Sequence, residues 1–304
     1  PERRFRPRPF RFLPTDAGPQ AGRRTLAVRS PCSRSPDRYG IRMAFKDSLI
    51  DVRSPAKINL FLAVTARRPD GYHELATLMA CIDLHDRITL RFSGRDIRLA
   101  CDRQGIPQDD ANLASRAARL FQKAYRQTRG DLPFTGIAIE LHKVIPAGAG
   151  LGGGSSNAAT VLKALNRHVP TPLPTEQLAA LALQLGADVP FFLYGKPALA
   201  TGVGERLHPW PGLFPFHVVV VFPGSGLATA DIYRALKLRL TNCEKKLKGF
   251  LLKPGIFDAA THLCNDLEPV AERRCPDIRW IKKELKRFGA RGALMSGSGS
   301  SVFG

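Results

Sequence analysis

Between residues 146 and 156 the chain reads Pro-Ala-Gly-Ala-Gly-Leu-Gly-Gly-Gly-Ser-Ser, with five glycines in the seven residues from Gly148 to Gly154. No regular element tolerates such a run in its interior, because glycine loses more backbone freedom on ordering than any other residue. The residues before it alternate like a strand (Ile137, Ile139, Leu141 within 136–144), and those from Ser156 to Arg167 have helical spacing. The segment is therefore a strand–loop–helix junction in a mixed α and β protein. Without Cβ atoms, the backbone N–H groups of Gly148, Gly150, Gly152, Gly153 and Gly154 can close around an anion. Ser155 and Ser156 then fall at a helix N-terminus, where free N–H groups and the helix dipole favour phosphate.

Two familiar phosphate loops fit poorly. A Walker loop needs Gly-Lys-Ser/Thr after the glycines, and the only Gly-Lys pair, Gly195-Lys196, runs into Pro197. Gly148, Gly150 and Gly153 satisfy G-x-G-x-x-G, but a dinucleotide site also wants an acid about 20 residues on, at the end of the next strand. Here a helix leads into His168-Val-Pro-Thr-Pro172, with no acid before Glu176. A dinucleotide-dependent oxidoreductase is the weaker alternative.

Two charged residues stand in unusual settings. Lys57 opens an apolar strand in Ser54-Pro-Ala-Lys-Ile-Asn-Leu60, and Asp188 lies in Gly186-Ala-Asp-Val-Pro-Phe-Phe192 between a helix stop and an apolar run. Taken singly, a strand-edge lysine and a turn aspartate need no function. Beside a phosphate loop they supply what a kinase requires: a group to orient or deprotonate the acceptor hydroxyl, and a cation to neutralise charge moving between phosphate oxygens. His73, after the Asp70-Gly-Tyr turn, suits stacking on or hydrogen bonding to a ring.

The rest of the chain reads as globular from Leu49 onward. Strands are expected over Ile58–Thr65, Arg87–Phe92, Ile97–Ala100 and His217–Phe222, and helices over 112–127 with Asn112 as N-cap, Glu176–Leu185, Thr229–Leu240 and Ile278–Phe288. The Pro- and Gly-rich stretch from Gly204 to Pro215 marks a domain boundary. The formal net charge is +20, of which residues 1–42 carry +8, with eleven Arg, no Lys and three acids. These residues lack apolar periodicity and are expected to be disordered, either as a leader or as translation upstream of Met43. The basic remainder suits anionic partners. A nucleic-acid-binding reading leaves Lys57 and Asp188 unexplained and has no interleaved aromatic motif. No apolar run approaches a membrane span. Six scattered cysteines without a C-x-x-C suggest reduced packing thiols in a cytoplasmic protein, with no metal site.

With these segments in place, the chain resembles the GHMP kinase superfamily. The matching stretches are SPAKINLFL (54–62), RPDGYHEL (68–75), KVIPAGAGLGGGSSNAATVLKALN (143–166), LGADVPFF (185–192), TGVGERL (201–207) and LMSGSGSSVFG (294–304). The glycine loop is common to the superfamily; PAKINL, DGYH and GADVPFF together resemble the branch acting on diphosphocytidyl-methylerythritol in non-mevalonate isoprenoid synthesis. The resemblance implies Mg2+-assisted phosphoryl transfer from ATP to that substrate's tertiary 2-hydroxyl. Lys57 and Asp188 fall on catalytic positions. Pro146, Ala147, Gly148, Ala149, Gly150, Leu151, Gly152, Gly153, Gly154, Ser155 and Ser156 fall on the ATP loop. Asn59, Tyr72, His73 and Lys143 match positions near the substrate, and Ser296 to Ser301 match a second glycine loop near the phosphates. The implied fold is α+β with two domains. An N-terminal extension (1–48) precedes a ribosomal-protein-S5-like ATP-binding domain (49–208) and a ferredoxin-like domain (209–304) that ends short of the family's usual length. No nucleic-acid or membrane partner is implied, and the expected state is a monomer or weak homodimer.

Overall fold

The computed structural model describes residues 24–29, 48–237, 243 and 257–304. Two long antiparallel strands, β2 (Leu49–Arg67) and β3 (His73–Arg91), form its spine, joined by the Asp70-Gly71 turn. The sequence suggests strands only over Ile58–Thr65 and Arg87–Phe92. The first half of β3 gives no alternating signal because Ala76 to Ile82 is buried almost throughout. A strand covered on both faces shows an apolar run rather than alternation. Beside this pair lie β4 (Ile97–Cys101), β5 (Ile137–His142), β6 (Ala198–Gly202), β7 (Arg206–Pro209) and β9 (Cys264–Asn265), giving a seven-stranded sheet in the order β4-β5-β3-β2-β9 with β6 on β3 and β7 on β6.

Helices α1 (Leu113–Arg129), α2 (Gly153–His168), α3 (Thr175–Leu185) and α4 (Val189–Tyr194) pack on one face of the sheet. Asn112 caps α1 as expected, its Oδ1 accepting from Ala114 N at 2.9 Å. The α4 turn is not evident in the sequence, which suggests only an apolar run after Asp188. The other sheet face packs on Val218, Val220, Leu294 and Phe303. They belong to a second antiparallel sheet of β1 (Arg24–Arg29), β8 (His217–Phe222), β11 (Val302–Phe303) and β10 (Leu294–Met295). Strand β1 pairs with β8 from Arg24↔Phe222 to Arg29↔His217, so these six residues are ordered where no regular structure is expected from sequence. The remainder of 1–42 lies outside the described residues.

Helices α5 (Thr229–Arg234), α6 (Ala259–His262), α7 (Glu268–Arg274) and α8 (Asp277–Arg287) complete the second half. α5 is shorter than the expected Thr229–Leu240, of which residues 238–240 lie outside the described residues. The two halves are not independent, because β9 comes from the second and pairs in parallel with β2 (Phe61↔Cys264, Leu62↔Asn265). One expectation about cysteine is corrected. Cys243 and Cys264 form a disulfide, while Cys81, Cys101 and Cys275 are free thiols. Their separation of 21 residues carries no pattern that sequence could reveal. Among the described residues no helix is long and apolar enough to cross a membrane.

Candidate active site

Lys57 is carried into the interior by β2, where its backbone N–H donates to Leu151 O at 3.0 Å. The ammonium is almost wholly buried and donates to Asn59 Oδ1 at 2.6 Å. Asn59 is itself fixed, its Nδ2 donating to Thr77 Oγ1 at 2.8 Å. A buried cation needs anionic or dipolar neighbours, and Asp188 supplies one, with Oδ2 3.4 Å from Lys57 Nζ. Asp188 sits at the start of α4 and keeps 37% of its side chain exposed, on the cavity side. The two residues singled out from 131 positions apart in the chain thus form one ion pair at the wall of a cavity of about 1200 Å³.

The glycine loop adjoins this pair in the same cavity lining, a Cβ on Gly152 falling 3.2 Å from Lys57 Cγ. α2 begins at Gly153 after Gly152 in the left-handed region (φ 70°), and Pro146 to Gly150, Gly152 to Gly154 and Ser155 all line the cavity. Two members of the expected run do not. The Leu151 side chain packs in the core between the sheets, and the fully buried Ser156 Oγ accepts from Ser54 Oγ at 2.8 Å. The loop is pinned against the second half of the chain. Ser301 N donates to Ala149 O at 3.1 Å, Leu227 N to Gly148 O at 3.1 Å, and Ser296 Oγ to Gly150 O at 2.9 Å. Gly150, at φ +74°, would press any Cβ into the Ser296 carbonyl. The 296–301 loop is held in turn by Asn265, whose Nδ2 donates to Met295 O and Gly297 O, both at 2.8 Å.

At the other end of the cavity, the half-buried His73 ring lies 5.2 Å from Tyr233 of α5, tilted by 35°. Burial first, and Arg67 second, lower the His73 pKa, favouring the uncharged imidazole. Burial and the Asp188 carboxylate both raise the Tyr233 phenol pKa. Tyr72 and Asn59 also line the cavity. Lys143 reaches it from behind the glycine loop, its ammonium paired with Asp86 and donating to Asn157 Oδ1 at 2.9 Å. Sequence reasoning misses Tyr233, which reads as one apolar position of a helix, and Asn265, Asp86 and Asn157, which carry no motif role. Nothing local marks them; their partners come from distant elements.

A glycine loop at a helix N-terminus beside a Lys–Asp pair is the arrangement that phosphoryl transfer calls for. The GHMP kinases N terminal domain model matches residues 112–196, and the GHMP kinases C terminal model matches 252–304. The 4-diphosphocytidyl-2-C-methyl-D-erythritol kinase of Syntrophotalea carbinolica is 47% identical over 253 residues, covering 83% of this chain and 87% of that protein. Its counterpart in Geobacter sulfurreducens is 43% identical over 255 residues, covering 84% and 88%. A crystal structure of 4-(cytidine 5'-diphospho)-2C-methyl-D-erythritol kinase aligns with TM-score 0.67 at 42% identity, covering 84% of this chain and 89% of that one. The chain belongs to the GHMP kinases and, within them, to the 4-diphosphocytidyl-2-C-methyl-D-erythritol kinase family.

Proposed function

We propose that this chain transfers the γ-phosphoryl group of ATP to the 2-hydroxyl of 4-diphosphocytidyl-2-C-methyl-D-erythritol, in the methylerythritol phosphate route to isoprenoids. The observation that carries the reading is the Lys57–Asp188 pair, 3.4 Å apart, set directly beside the glycine loop in the lining of one cavity. The nucleotide phosphates lie against the N–H groups of Gly148 to Ser155, where a Cβ would intrude on the approach. The acceptor hydroxyl lies at Asp188, which takes its proton as the oxygen–phosphorus bond forms and the bond to ADP breaks. Lys57, only 5% exposed, steadies the negative charge that develops on the oxygens. Asn59 holds the Lys57 ammonium in place. Tyr72, His73 and Tyr233 give the cytosine ring aromatic surface and a neutral imidazole.

Mg2+ fits the donor set as an ion brought in by the nucleotide. Asp188 is the one carboxylate among the described lining residues, and no cluster of three His, Cys, Asp or Glu occurs among the described residues. With Asp188 engaged by Lys57 and the acceptor hydroxyl, the phosphate oxygens would hold Mg2+, which would neutralise phosphate charge. We assign the reaction to the cytoplasm.

The reading is tested by ADP release from wild type and Asp188→Asn with ATP and diphosphocytidyl-methylerythritol, alongside direct binding of a fluorescent ATP analogue. Wild type turns over, and the variant loses about 10³-fold in kcat, within the usual worth of a general base, while nucleotide binding persists. Equal turnover by the variant removes Asp188 from the reaction, and no turnover by wild type removes the proposed acceptor.

A further inference from the structure

Asp86 lies in the second half of β3 and is completely buried, yet neither transfer nor acceptor binding uses it. All of its acceptor capacity is spent on the two segments that bound the glycine loop. Oδ1 accepts from the backbone N–H groups of Val144 and Ile145 at 2.8 and 2.9 Å, the last residues before Pro146. Oδ2 accepts from Lys143 Nζ and from Asn157 Nδ2, the latter at 2.9 Å in the first turns of α2. Asn157 Nδ2 also donates to Ser54 Oγ at 2.9 Å, and Ser54 Oγ donates to Ser156 Oγ. One carboxylate thus ties the entry to the loop, its exit into α2 and, through Ser54, the strand that carries Lys57 three residues later.

Lys143 is the second part of the observation. Its side chain is only 5% exposed, and two of its three ammonium protons are directed at Asp86 and Asn157 Oδ1. The ammonium sits 3.2 Å from where a Cβ of Gly153 would stand, and Lys143 lines the cavity. A Cβ at Gly153 would crowd both Ile145 Cγ2, at 3.0 Å, and this ammonium, which thus lies beside the N-terminal turn of α2 that favours an anion. A buried ion pair is weak evidence of stabilisation, since apolar replacements often do as well, but it fixes geometry.

We propose that Asp86 is the positioning residue of the phosphate loop, holding both of its ends and aiming the Lys143 ammonium at the nucleotide phosphates. Asp86 therefore sets affinity for ATP, not the rate of transfer. The inference rests on the glycine loop binding ATP.

The test compares wild type, Asp86→Asn, Lys143→Met and the double variant, reading the Kd of a fluorescent ATP analogue, both KM values, kcat and Tm. In Asp86→Asn the amide nitrogen must face either the Lys143 ammonium or the loop N–H groups, donor against donor. The expected result is a rise in Kd and KM for ATP of about tenfold or more, the worth of a hydrogen bond to a charged group. The acceptor KM and the kcat at saturating ATP stay within about threefold, inside the usual context-dependence of such contacts. If Asp86 acts through Lys143, the double variant binds ATP no more weakly than Lys143→Met alone. In the double variant the introduced amide oxygen can still accept from Val144 and Ile145 with no buried cation to oppose, so it serves as the folded reference should Asp86→Asn be unstable. Additive losses in the double variant, or a fall in kcat and Tm with unchanged ATP affinity, overturn the proposal. Wild type that fails to bind the nucleotide overturns the ATP reading itself, which distinguishes the two failures.

Discussion

His168 and His73 show how burial sets chemistry residue by residue. His168 stacks on Phe92 with ring centroids 3.9 Å apart, and its Nε2 lies 3.1 Å from Ser48 Oγ. Burial lowers its pKa, as burial and Arg67 lower that of His73. A histidine whose folded pKa is depressed binds fewer protons than in the unfolded chain, so its contribution is complete above the unfolded value and is lost as pH falls through the folded one. Tm is therefore expected to be flat above the ordinary histidine value of 6.5 and to fall below it, and His168→Gln to blunt that fall. An equal acid slope in wild type and variant would show that His168 is not a source of it. Lys57 and Asp188 were legible in the sequence because each stood in a setting its charge did not suit. Asp86, Asn265 and Tyr233 were not, because a buried polar residue declares itself only through partners. Those of Asp86 include Asn157, 71 positions away, and those of Asn265 lie 30 and 32 positions on.

At the scale of elements, the glycine loop works because a second loop backs it. Gly150 is the tightest approach between them: its φ of +74° disfavours any side chain, and a Cβ would strike the Ser296 carbonyl. Gly150→Ala is expected to cost at least about 1–2 kcal/mol from the left-handed backbone alone. It should also raise the KM for ATP more than that for the acceptor, because the loop must shift to admit the methyl group. Thermal unfolding together with the two KM values checks this, and an alanine variant with wild-type ATP affinity would show that the loop does not depend on this contact. Periodicity reveals β5, α1, α2 and α3, and an unbroken apolar run reveals β8. Periodicity fails for the first half of β3, whose residues are covered on both faces, and for the single turn of α4, too short to show a period. Strand β1 is also invisible to it, because Arg24–Arg29 stands in an Arg- and Pro-rich stretch without sustained alternation.

The whole molecule places the candidate site where two sheets meet. β2 carries Lys57 and Asn59, and the 296–301 loop carries Ser296, whose Oγ accepts from Asn59 N at 3.3 Å while donating to Gly150 O. The mixture of α and β was legible in the residues, and the class of fold through the family resemblance that the motifs carry. The dependence of one half on the other was not, since β9 and Asn265 belong to one sheet by pairing and serve the other's loop. The same architecture supports a homoserine kinase from Cytophaga hutchinsonii at TM-score 0.63 and 20% identity, so fold alone does not choose the acceptor. Under the proposed function, the choice falls to the part of the cavity lined by Tyr72, His73 and Tyr233. The most direct measurement is ADP release with ATP and Mg2+ across three acceptors: diphosphocytidyl-methylerythritol, mevalonate and homoserine. Turnover confined to the cytidyl compound is the expected result. Turnover with mevalonate or homoserine, and none with the cytidyl compound, would contradict the account.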